Sequence, residues 1–284
     1  MISTGARALI DVLLEQGVDT VFGYPGSAVL DIYDELYKCD KIRHILTCHE
    51  QAAAHAADGY ARATGKTGVV IATSGPGATN LVTGIAAAYM DSSPVVAITG
   101  NVKTSLLGSD SFQEVDIAGV TMPVTKYSFI ASGERGVAQD VREAFSIAQS
   151  GRKGPVLVDI PADIAAQSEE YERAPKSEPA RAKEPEEAQL ARAAQMIAKA
   201  KRPLIYVGGG AISSGASEAL GAFAKKLQIP VACSMMGLGA YPCSAKLFLG
   251  LVGMHGNPAA NTAALNCDLL IAAGARFSNR VAAS

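Results

Sequence analysis

Three short runs of apolar, mostly β-branched residues constrain the fold of this chain more than any other feature. They are TGVVIA at residues 67–72, PVVAIT at 94–99 and VLVDI at 156–160. Runs of this kind are typical of strands that are covered on both faces in a parallel sheet. Helical periodicity in segments such as 3–16 and 50–63 indicates right-handed βαβ crossovers. The pattern therefore predicts an α/β fold with a doubly wound parallel sheet.

The composition changes after the third of these runs. Residues 167–187 are rich in charge and proline and have no apolar periodicity, so we predict an exposed linker there. A second alternation of helices and strands in residues 188–284 predicts another α/β domain, after a first domain of residues 1–166. A typical second domain has about 130 residues or more, so we expect this one to be incomplete.

Charge, hydropathy and cysteine usage exclude several classes of function. The net charge of −2 gives no electrostatic reason to expect a nucleic acid or an anionic membrane as partner. No apolar run approaches the roughly 20 residues that span a bilayer. The five cysteines show no CxxC spacing, which favours free thiols in a reducing cytoplasm. His49 and His55 are six residues apart on a predicted helix and do not share one metal ion, so we predict no metal site.

Irregular turns follow three of the predicted strands. Residues 23–26 (GYPG) follow the strand at 20–22, residues 73–80 (TSGPGATN) follow a second, and Glu50 begins the helix after a third. In a doubly wound sheet such turns gather at the carboxyl edge of the strands, where ligands bind. A lone glutamate at a helix N-terminus commonly serves only the helix dipole, but these surroundings favour a functional site.

Several longer segments, in this order and spacing, resemble the large subunits of acetolactate synthases. HEQAAAH with SGPGATN is similar to segments of the wider group of thiamine-diphosphate decarboxylases and carboligases. FQEVDI, GMHG and GARF resemble segments of the acetolactate synthases in particular. The remaining segments that carry the resemblance are VFGYPG, SPVVAITG and GPVLVDIP. The resemblance implies a pyrimidine-binding first domain and a flavin-binding second domain. It also implies that the family's third domain, which binds the diphosphate and Mg²⁺, is absent here, because no GDG segment occurs.

The implied activity is the condensation of two pyruvates, or of pyruvate and 2-oxobutyrate, with loss of CO₂ in branched-chain amino-acid biosynthesis. Glu50 is implied to protonate the aminopyrimidine ring of thiamine diphosphate, and we expect a buried, apolar setting that helps to keep it protonated. The family also holds FAD without a net redox role. A homodimer or tetramer is expected, and a regulatory small subunit is left open. We expect the 284 residues alone to have little or no activity.

The resemblance also implies contacts residue by residue. Those with thiamine diphosphate are Tyr24, Pro25, Gly26, Glu50, Asn80 and Gln113. Those with FAD are Ser92, Arg152, Gly209, Ser234, Met235, Gly253, Met254, His255, Gly274 and Arg276. Those with substrate are Ser27, Phe112, Lys126 and Arg280. The chain departs from the commoner family pattern at Ser27, Asn101, Lys103 and the Ser278-Asn279 pair.

Two alternative functions stay open at this point. Within the same enzyme class, the chain could resemble pyruvate oxidase or glyoxylate carboligase, which product analysis distinguishes. From another class, it could be a non-catalytic chain that binds flavin or pairs with a full-length subunit. Substitution of Glu50 by Gln separates an enzyme from such a binding module, because only the enzyme needs the carboxyl group.

Overall fold

The chain divides into two compact units, Met1–Ala182 and Lys183–Ser284. The computed structural model describes residues 1–177 and 184–281. Each unit contains its own parallel sheet with helices on the faces. In the part of the chain that is described, no helix is both long enough and apolar enough to cross a membrane.

The first unit is built from eight strands and eight helices within residues 1–177. The strands are β1 Ile2–Thr4, β2 Thr20–Gly23, β3 Arg43–Leu46, β4 Gly68–Ala72, β5 Val95–Asn101, β6 Tyr127–Ile130, β7 Val156–Pro161 and β8 Ser168–Glu170. The helices are α1 Gly5–Glu15, α2 Leu30–Tyr37, α3 Glu50–Thr64, α4 Pro76–Thr79, α5 Val82–Asp91, α6 Ile117–Thr121, α7 Val137–Gln149 and α8 Ala162–Ala166.

Six of these strands form one parallel sheet in the order β3-β2-β4-β5-β7-β6. The central strands β4, β5 and β7 are buried along their whole length, as their unbroken apolar runs predict. One core cluster contains α1, α2 and α7 with one face of the sheet, and another contains α3 and α5 with the opposite face. The predicted doubly wound α/β fold is confirmed.

The strand order reverses beside β2. The chain passes from β2 outward to β3 and then returns across β2 to β4. Helix α3 makes this return, so its first residue lies at the carboxyl edge of the sheet. A reversal of this kind leaves a crevice between the carboxyl ends of the two neighbouring strands, here β2 and β4.

The start of the predicted linker needs correction. Ser168–Glu170 pairs with Ile2–Thr4 as an antiparallel strand, and Tyr171 is only 4% exposed. The Tyr171 hydroxyl donates to Glu15 Oε1 at 2.5 Å, and Arg142 binds both oxygens of the same carboxylate at 2.9 Å. The charges of this stretch had suggested solvent exposure, but the Glu169 carboxylate accepts hydrogen bonds from the backbone N–H groups of Val137 and Ala138 in the first unit. Residues 178–183 of the predicted linker lie outside the described residues.

The second unit is a smaller α/β layer structure. Its strands are β9 Pro203–Val207, β10 Val231–Cys233, β11 Phe248–Leu251 and β12 Leu269–Ala273, and its helices are α9 Glu187–Lys199, α10 Gly209–Ser213, α11 Ser217–Leu227 and α12 Pro258–Asn266. The four strands are parallel, in the order β11-β10-β9-β12. The order reverses between β9 and β12, which creates a second crevice at the carboxyl edge of this sheet.

Candidate active site

The crevice between β2 and β4 is lined by the turns that follow these two strands. Gly26 lies directly against Thr73, since a Cβ atom at Gly26 would come within 2.5 Å of the Thr73 side chain. The Thr73 hydroxyl accepts a hydrogen bond from the backbone N–H of Ala28 at 3.2 Å. Tyr24 is 44% exposed at the mouth of the crevice. The sequence predicted this turn as part of a ligand site, and in the structure it lies at the crevice between β2 and β4.

Glu50 is the first residue of α3 and reaches the same edge of the sheet. Its Oε2 atom accepts a hydrogen bond from Asn80 Nδ2 at 2.9 Å. Its Oε1 atom lies beside Gly77, where an added Cβ would be 3.3 Å away. The preceding residue, His49, caps the helix by accepting from the Gln51 N–H through Nδ1 at 3.1 Å. Two of the predicted site residues, Glu50 and Asn80, are therefore in direct contact.

The surroundings of Glu50 differ from our expectation in one respect. We expected a buried carboxyl group, but Glu50 is only half-buried in the first unit. The reason is its position: a helix that begins at the open carboxyl edge of a sheet has its first turn covered on one side only. The apolar residues of α3 that are fully buried, such as Ala53 and Ala57, lie further along the helix and face the sheet.

Gln113 approaches the same crevice from a long segment between β5 and α6. Its backbone lies against Gly75, where an added Cβ would come within 2.8 Å of the Gln113 carbonyl oxygen. Both residues have positive φ angles, 57° for Gly75 and 59° for Gln113. The left-handed region is uncommon for a residue with a side chain, so the surrounding contacts must hold Gln113 there. Phe112 is 84% exposed beside it.

Tyr33 was not among the predicted site residues, although it lies below Glu50. Its hydroxyl is 3.2 Å from His44 Nε2 and donates to the Ile71 carbonyl oxygen at 3.4 Å. Burial and the nearby Glu50 charge raise the pKa of Tyr33 above its ordinary value, so it stays protonated. Tyr33 lies on α2, outside the turns that follow the strands, and belongs to no motif of the sequence. Thr73 belongs to the turn at residues 73–80, and this position is a signal from which it could be predicted as a site residue.

Three predicted residues lie at the opposite, amino edge of this sheet. Ser92 ends α5 and accepts from Arg152 Nε at 2.8 Å. Arg152 also donates to the Tyr89 carbonyl oxygen at 3.1 Å. Lys126 precedes β6, and its Nζ donates to the carbonyl oxygens of Ile147 and Ser150 at the end of α7. Ser92 and Arg152 are thus in direct contact. Both residues, and Lys126 as well, lie at the edge of the sheet opposite to Glu50.

The crevice between β9 and β12 in the second unit is formed by two glycine turns in close contact. The Gly210 N–H donates to the Gly274 carbonyl oxygen at 2.9 Å. A Cβ at Gly274 would come within 2.2 Å of the Ala211 backbone nitrogen, so only glycine allows this approach. Gly209 begins α10, and the carbonyl oxygen of Arg276 accepts from the Tyr206 hydroxyl at 3.5 Å.

The other residues of the second unit for which the resemblance implies flavin contacts lie on the turns that follow β10 and β11, at the same edge. The Ser234 hydroxyl accepts from the Gly237 N–H at 3.2 Å, and Met235 beside it is 64% exposed. Met254 is 66% exposed, and its N–H donates to the Arg280 carbonyl oxygen at 2.9 Å. The set that meets at this edge is Gly209, Ser234, Met235, Gly253, Met254, His255, Gly274, Arg276 and Arg280.

Among the described residues, neither crevice has side chains that form an evident metal site. Across residues 1–177 and 184–281, no group of three His, Cys, Asp or Glu side chains is arranged to hold a metal ion. The five cysteines are free, and Cys48 and Cys243 are exposed.

Comparison with known families agrees with these two units. Residues 3–120 match the family model described as "Thiamine pyrophosphate enzyme, N-terminal TPP binding domain". Residues 190–284 match the model described as "Thiamine pyrophosphate enzyme, central domain". Together the two models cover most of the chain.

Curated relatives extend the match to nearly every residue. The chain is 51% identical to the "Probable acetolactate synthase large subunit" of Methanocaldococcus jannaschii, over 98% of this chain and 48% of that protein. It is 49% identical to the "Acetolactate synthase isozyme 3 large subunit" of Escherichia coli, over 98% of this chain and 49% of that protein. The Corynebacterium glutamicum "Acetolactate synthase large subunit" is 50% identical, with 45% of its length covered. The chain spans about half the length of the curated relatives it matches. It belongs to the thiamine pyrophosphate enzyme family and is similar throughout to acetolactate synthase large subunits.

Proposed function

We propose that this chain provides the cofactor-activating part of an acetolactate synthase large subunit. The overall reaction would condense two pyruvates, or pyruvate and 2-oxobutyrate, with release of CO₂. The observation that carries the proposal is the Glu50–Asn80 pair, which lies at the crevice where the order of parallel strands reverses. The names of the relatives support acetolactate synthesis over the pyruvate oxidase and glyoxylate carboligase alternatives.

The crevice suits the aminopyrimidine ring of thiamine diphosphate. Gly26, Gly75 and Gly77 let its turns pack closely, because an added Cβ at each would meet a neighbouring residue at 2.8 Å or less. We propose that these closely packed turns shape a crevice for a flat ring, with the half-buried Glu50 carboxyl group at its edge. When bound, thiamine diphosphate would supply a carbon nucleophile for a 2-oxo acid and would accept the electron pair that stays behind when CO₂ departs.

The hydrogen bond from Asn80 determines which oxygen of Glu50 carries a proton. Because the Asn80 amide donates to Oε2, that oxygen serves as an acceptor. A protonated Glu50 then holds its hydrogen on Oε1, the oxygen beside Gly77. Glu50 is thereby a donor toward the glycine-lined side of the crevice, where a ring nitrogen would be accommodated. We propose proton donation at this atom as the catalytic role of Glu50.

We further propose that the crevice of the second unit holds FAD. Glycine backbones in close contact and the start of a helix suit a pyrophosphate group, and Met254 offers an exposed, polarisable surface for a ring. The proposed role is binding only, and no chemical step of this chain depends on it. Mg²⁺ has no suitable ligand set among the described residues and takes no part in the role proposed here.

A chimera tests the proposal. Residues 1–281 would replace the matching half of the E. coli isozyme 3 large subunit, to which the chain is 49% identical. We expect the chimera to form acetolactate from pyruvate, and Glu50→Gln to lower kcat by about 10²–10⁴-fold. Glu187→Gln is the matched control, since Glu187 is also the first residue of a helix. Formation of acetyl phosphate or tartronate semialdehyde instead, or full activity with Glu50→Gln, would contradict the proposal.

Assembly and location complete the proposal. We propose a homodimer or tetramer in the cytoplasm, with a regulatory small subunit as an additional partner. The free cysteines support a reducing compartment such as the cytoplasm. The naming of the relatives as large subunits supports an additional small subunit. Light scattering of the chimera, with and without the E. coli small subunit, measures both associations.

A further inference from the structure

Two carboxylates fix, through hydrogen bonds, the first residues of the segment that contains Gln113. We call residues 102–116, between β5 and α6, the Gln113 loop. Asp159, at the carboxyl end of β7, is fully buried below the start of this loop. Asp163, on the following helix α8, is half-buried beside it. Neither residue has a part in the role proposed for Glu50.

Asp159 acts on the loop through the last residues of β5. Its Oδ1 accepts from the Thr99 hydroxyl at 2.6 Å, and its Oδ2 accepts from Asn101 Nδ2 at 2.5 Å. The oxygen of the same Asn101 amide accepts from the Val102 N–H at 2.8 Å. The carboxylate therefore fixes the orientation of Asn101, and Asn101 in turn fixes the first peptide of the Gln113 loop. Both Thr99 and Asn101 are buried, so these bonds do not compete with water.

Asp163 holds the loop two residues further on. Its Oδ1 accepts from the Thr104 N–H at 2.9 Å, and its Oδ2 accepts from the Thr104 hydroxyl at 2.6 Å. Partial burial works to raise the pKa of Asp163, but the bonds from Thr104 and from nearby backbone N–H groups lower it overall. Asp163 is therefore charged and holds Thr104 through two hydrogen bonds.

The far part of the loop is constrained by its own carboxylates. Glu114 accepts from the Gly108 N–H at 2.7 Å, which closes the loop on itself. Asp116 caps α6 by accepting from the Gly119 N–H at 2.8 Å. Gln113 lies between these two points with a positive φ angle, and its backbone touches Gly75. A strained residue in so close a contact keeps its place only if both ends of its segment are fixed.

We propose that Asp159 and Asp163 are positioning residues that fix the Gln113 loop. By holding its first three residues they set where Gln113 meets the turn after β4, and so shape one wall of the thiamine crevice. The importance of this role for catalysis rests on the proposed function. The effect of Asp163 on the position of Gln113 does not depend on that function. Asp163 is the better residue to test, because removal of the fully buried Asp159 would leave an unfilled site in the core.

The test uses the 284-residue chain and nuclear magnetic resonance of backbone amides. In Asp163→Ala we expect the amide signals of Thr104, Gln113 and Gly75 to move, while those at the C-terminal end of α3, such as Thr64, do not. Asp163→Asn keeps an acceptor for the Thr104 N–H and should restore the wild-type positions. Thr104→Val, which removes only the hydroxyl bond, should move the same signals by less, and it serves if Asp163→Ala fails to fold. A shift confined to Thr104 in both variants would overturn the proposal.

Titration with thiamine separates this proposal from the proposed function. Thiamine contains the aminopyrimidine ring without the diphosphate, and binding is read from the Glu50 and Gly77 amides. We expect Asp163→Ala to weaken the Kd about tenfold and Asp163→Asn to leave it unchanged. If wild type does not bind thiamine, or if Glu50→Gln binds it equally well, the proposed function loses its support. The positioning role is then still decided by the Gln113 and Gly75 signals.

Discussion

Asn80 Nδ2 and Glu50 Oε2 are 2.9 Å apart, and this hydrogen bond joins the end of α4 to the first turn of α3. The two helices follow different strands, so the pair connects neighbouring parts of the carboxyl edge. Each residue is half-buried, which leaves the second carboxylate oxygen accessible from the crevice.

Removal of the Asn80 amide should impair the proposed reaction more than the fold. In the chimera, we expect Asn80→Ala to lower kcat by about 2–10-fold, since a hydrogen bond to a neutral carboxyl group contributes about 0.5–1.5 kcal/mol. Asn266→Ala, at the exposed end of α12, is the control and should leave kcat unchanged. Steady-state kinetics with pyruvate measures both, and parental kcat in Asn80→Ala would argue against a role for this contact.

Two helical glycines should respond in opposite ways to replacement by alanine. A Cβ at Gly84 of α5 would come within 2.4 Å of the Ala54 Cβ on α3, whereas a Cβ at Gly59 of α3 would meet nothing within 4 Å. We expect Gly84→Ala to destabilise the first unit by about 1–3 kcal/mol. Gly59→Ala should stabilise it by about 0.5–1 kcal/mol through helix propensity. Hydrogen exchange of the buried β5 amides measures the free energy of opening; equal effects would disprove the close approach of α3 and α5.

The cluster around Glu15 should be necessary for the stability of the first unit. The Glu15 side chain is 1% exposed and is paired with Arg142. Arg142→Ala leaves this carboxylate buried without its partner, and we expect a loss of about 3–5 kcal/mol. Tyr171→Phe removes a single hydrogen bond and should cost about 1 kcal/mol. Tyr37→Phe is the control, because Tyr37 is 91% exposed. Urea unfolding followed by the same β5 amides distinguishes these cases.

Asp159 should make the stability of the first unit fall as the pH rises. Burial raises the pKa of Asp159, and the hydrogen bonds from Thr99 and Asn101 lower it. The effect of burial is the larger, so the pKa is raised from 3.8 to about 6. The folded state therefore binds the proton more tightly than the unfolded state, and this contribution is fully present below pH 3.8 and is lost as the pH passes 6. Between about pH 4.5 and 7 we expect a decrease of about 2 kcal/mol relative to Asp159→Asn, which has no such proton.

The free energy of opening of the β5 amides, measured at both pH values in wild type and Asp159→Asn, gives this difference directly. An identical pH dependence in the two proteins would show that Asp159 does not titrate in this range.

Much of the first sheet could be predicted because its central strands are unbroken apolar runs. The edge strand β6 (YSFI) and the short antiparallel pair β1–β8 were missed, since neither has a pattern that distinguishes it from a loop. In β8 the residues are SEE, and only long-range pairing with Ile2–Thr4 makes them a strand. In the second unit, β11 (FLGL) was missed for the same reason: its strand conformation depends on β10 beside it.

The candidate site was predictable only in part. Strand order places Glu50 and Asn80 at one edge, and this follows from the alternation of strands and helices alone. The separation of Lys126 from Glu50 does not follow from a motif, because it depends on whether a residue precedes or follows its strand. The Thr99–Asn101–Asp159 cluster unites residues about 60 positions apart, and no local pattern indicates it.

The two crevices are produced by the order of strands and not by the side chains at their mouths. Exposed turn residues such as Ser27 and His255 contribute little to either core. A substitution at such a position changes what a ligand meets while the folding free energy stays nearly constant. Specificity in this architecture is therefore open to gradual evolutionary change, because variation at the rim is not limited by the stability threshold that constrains the sheet below it.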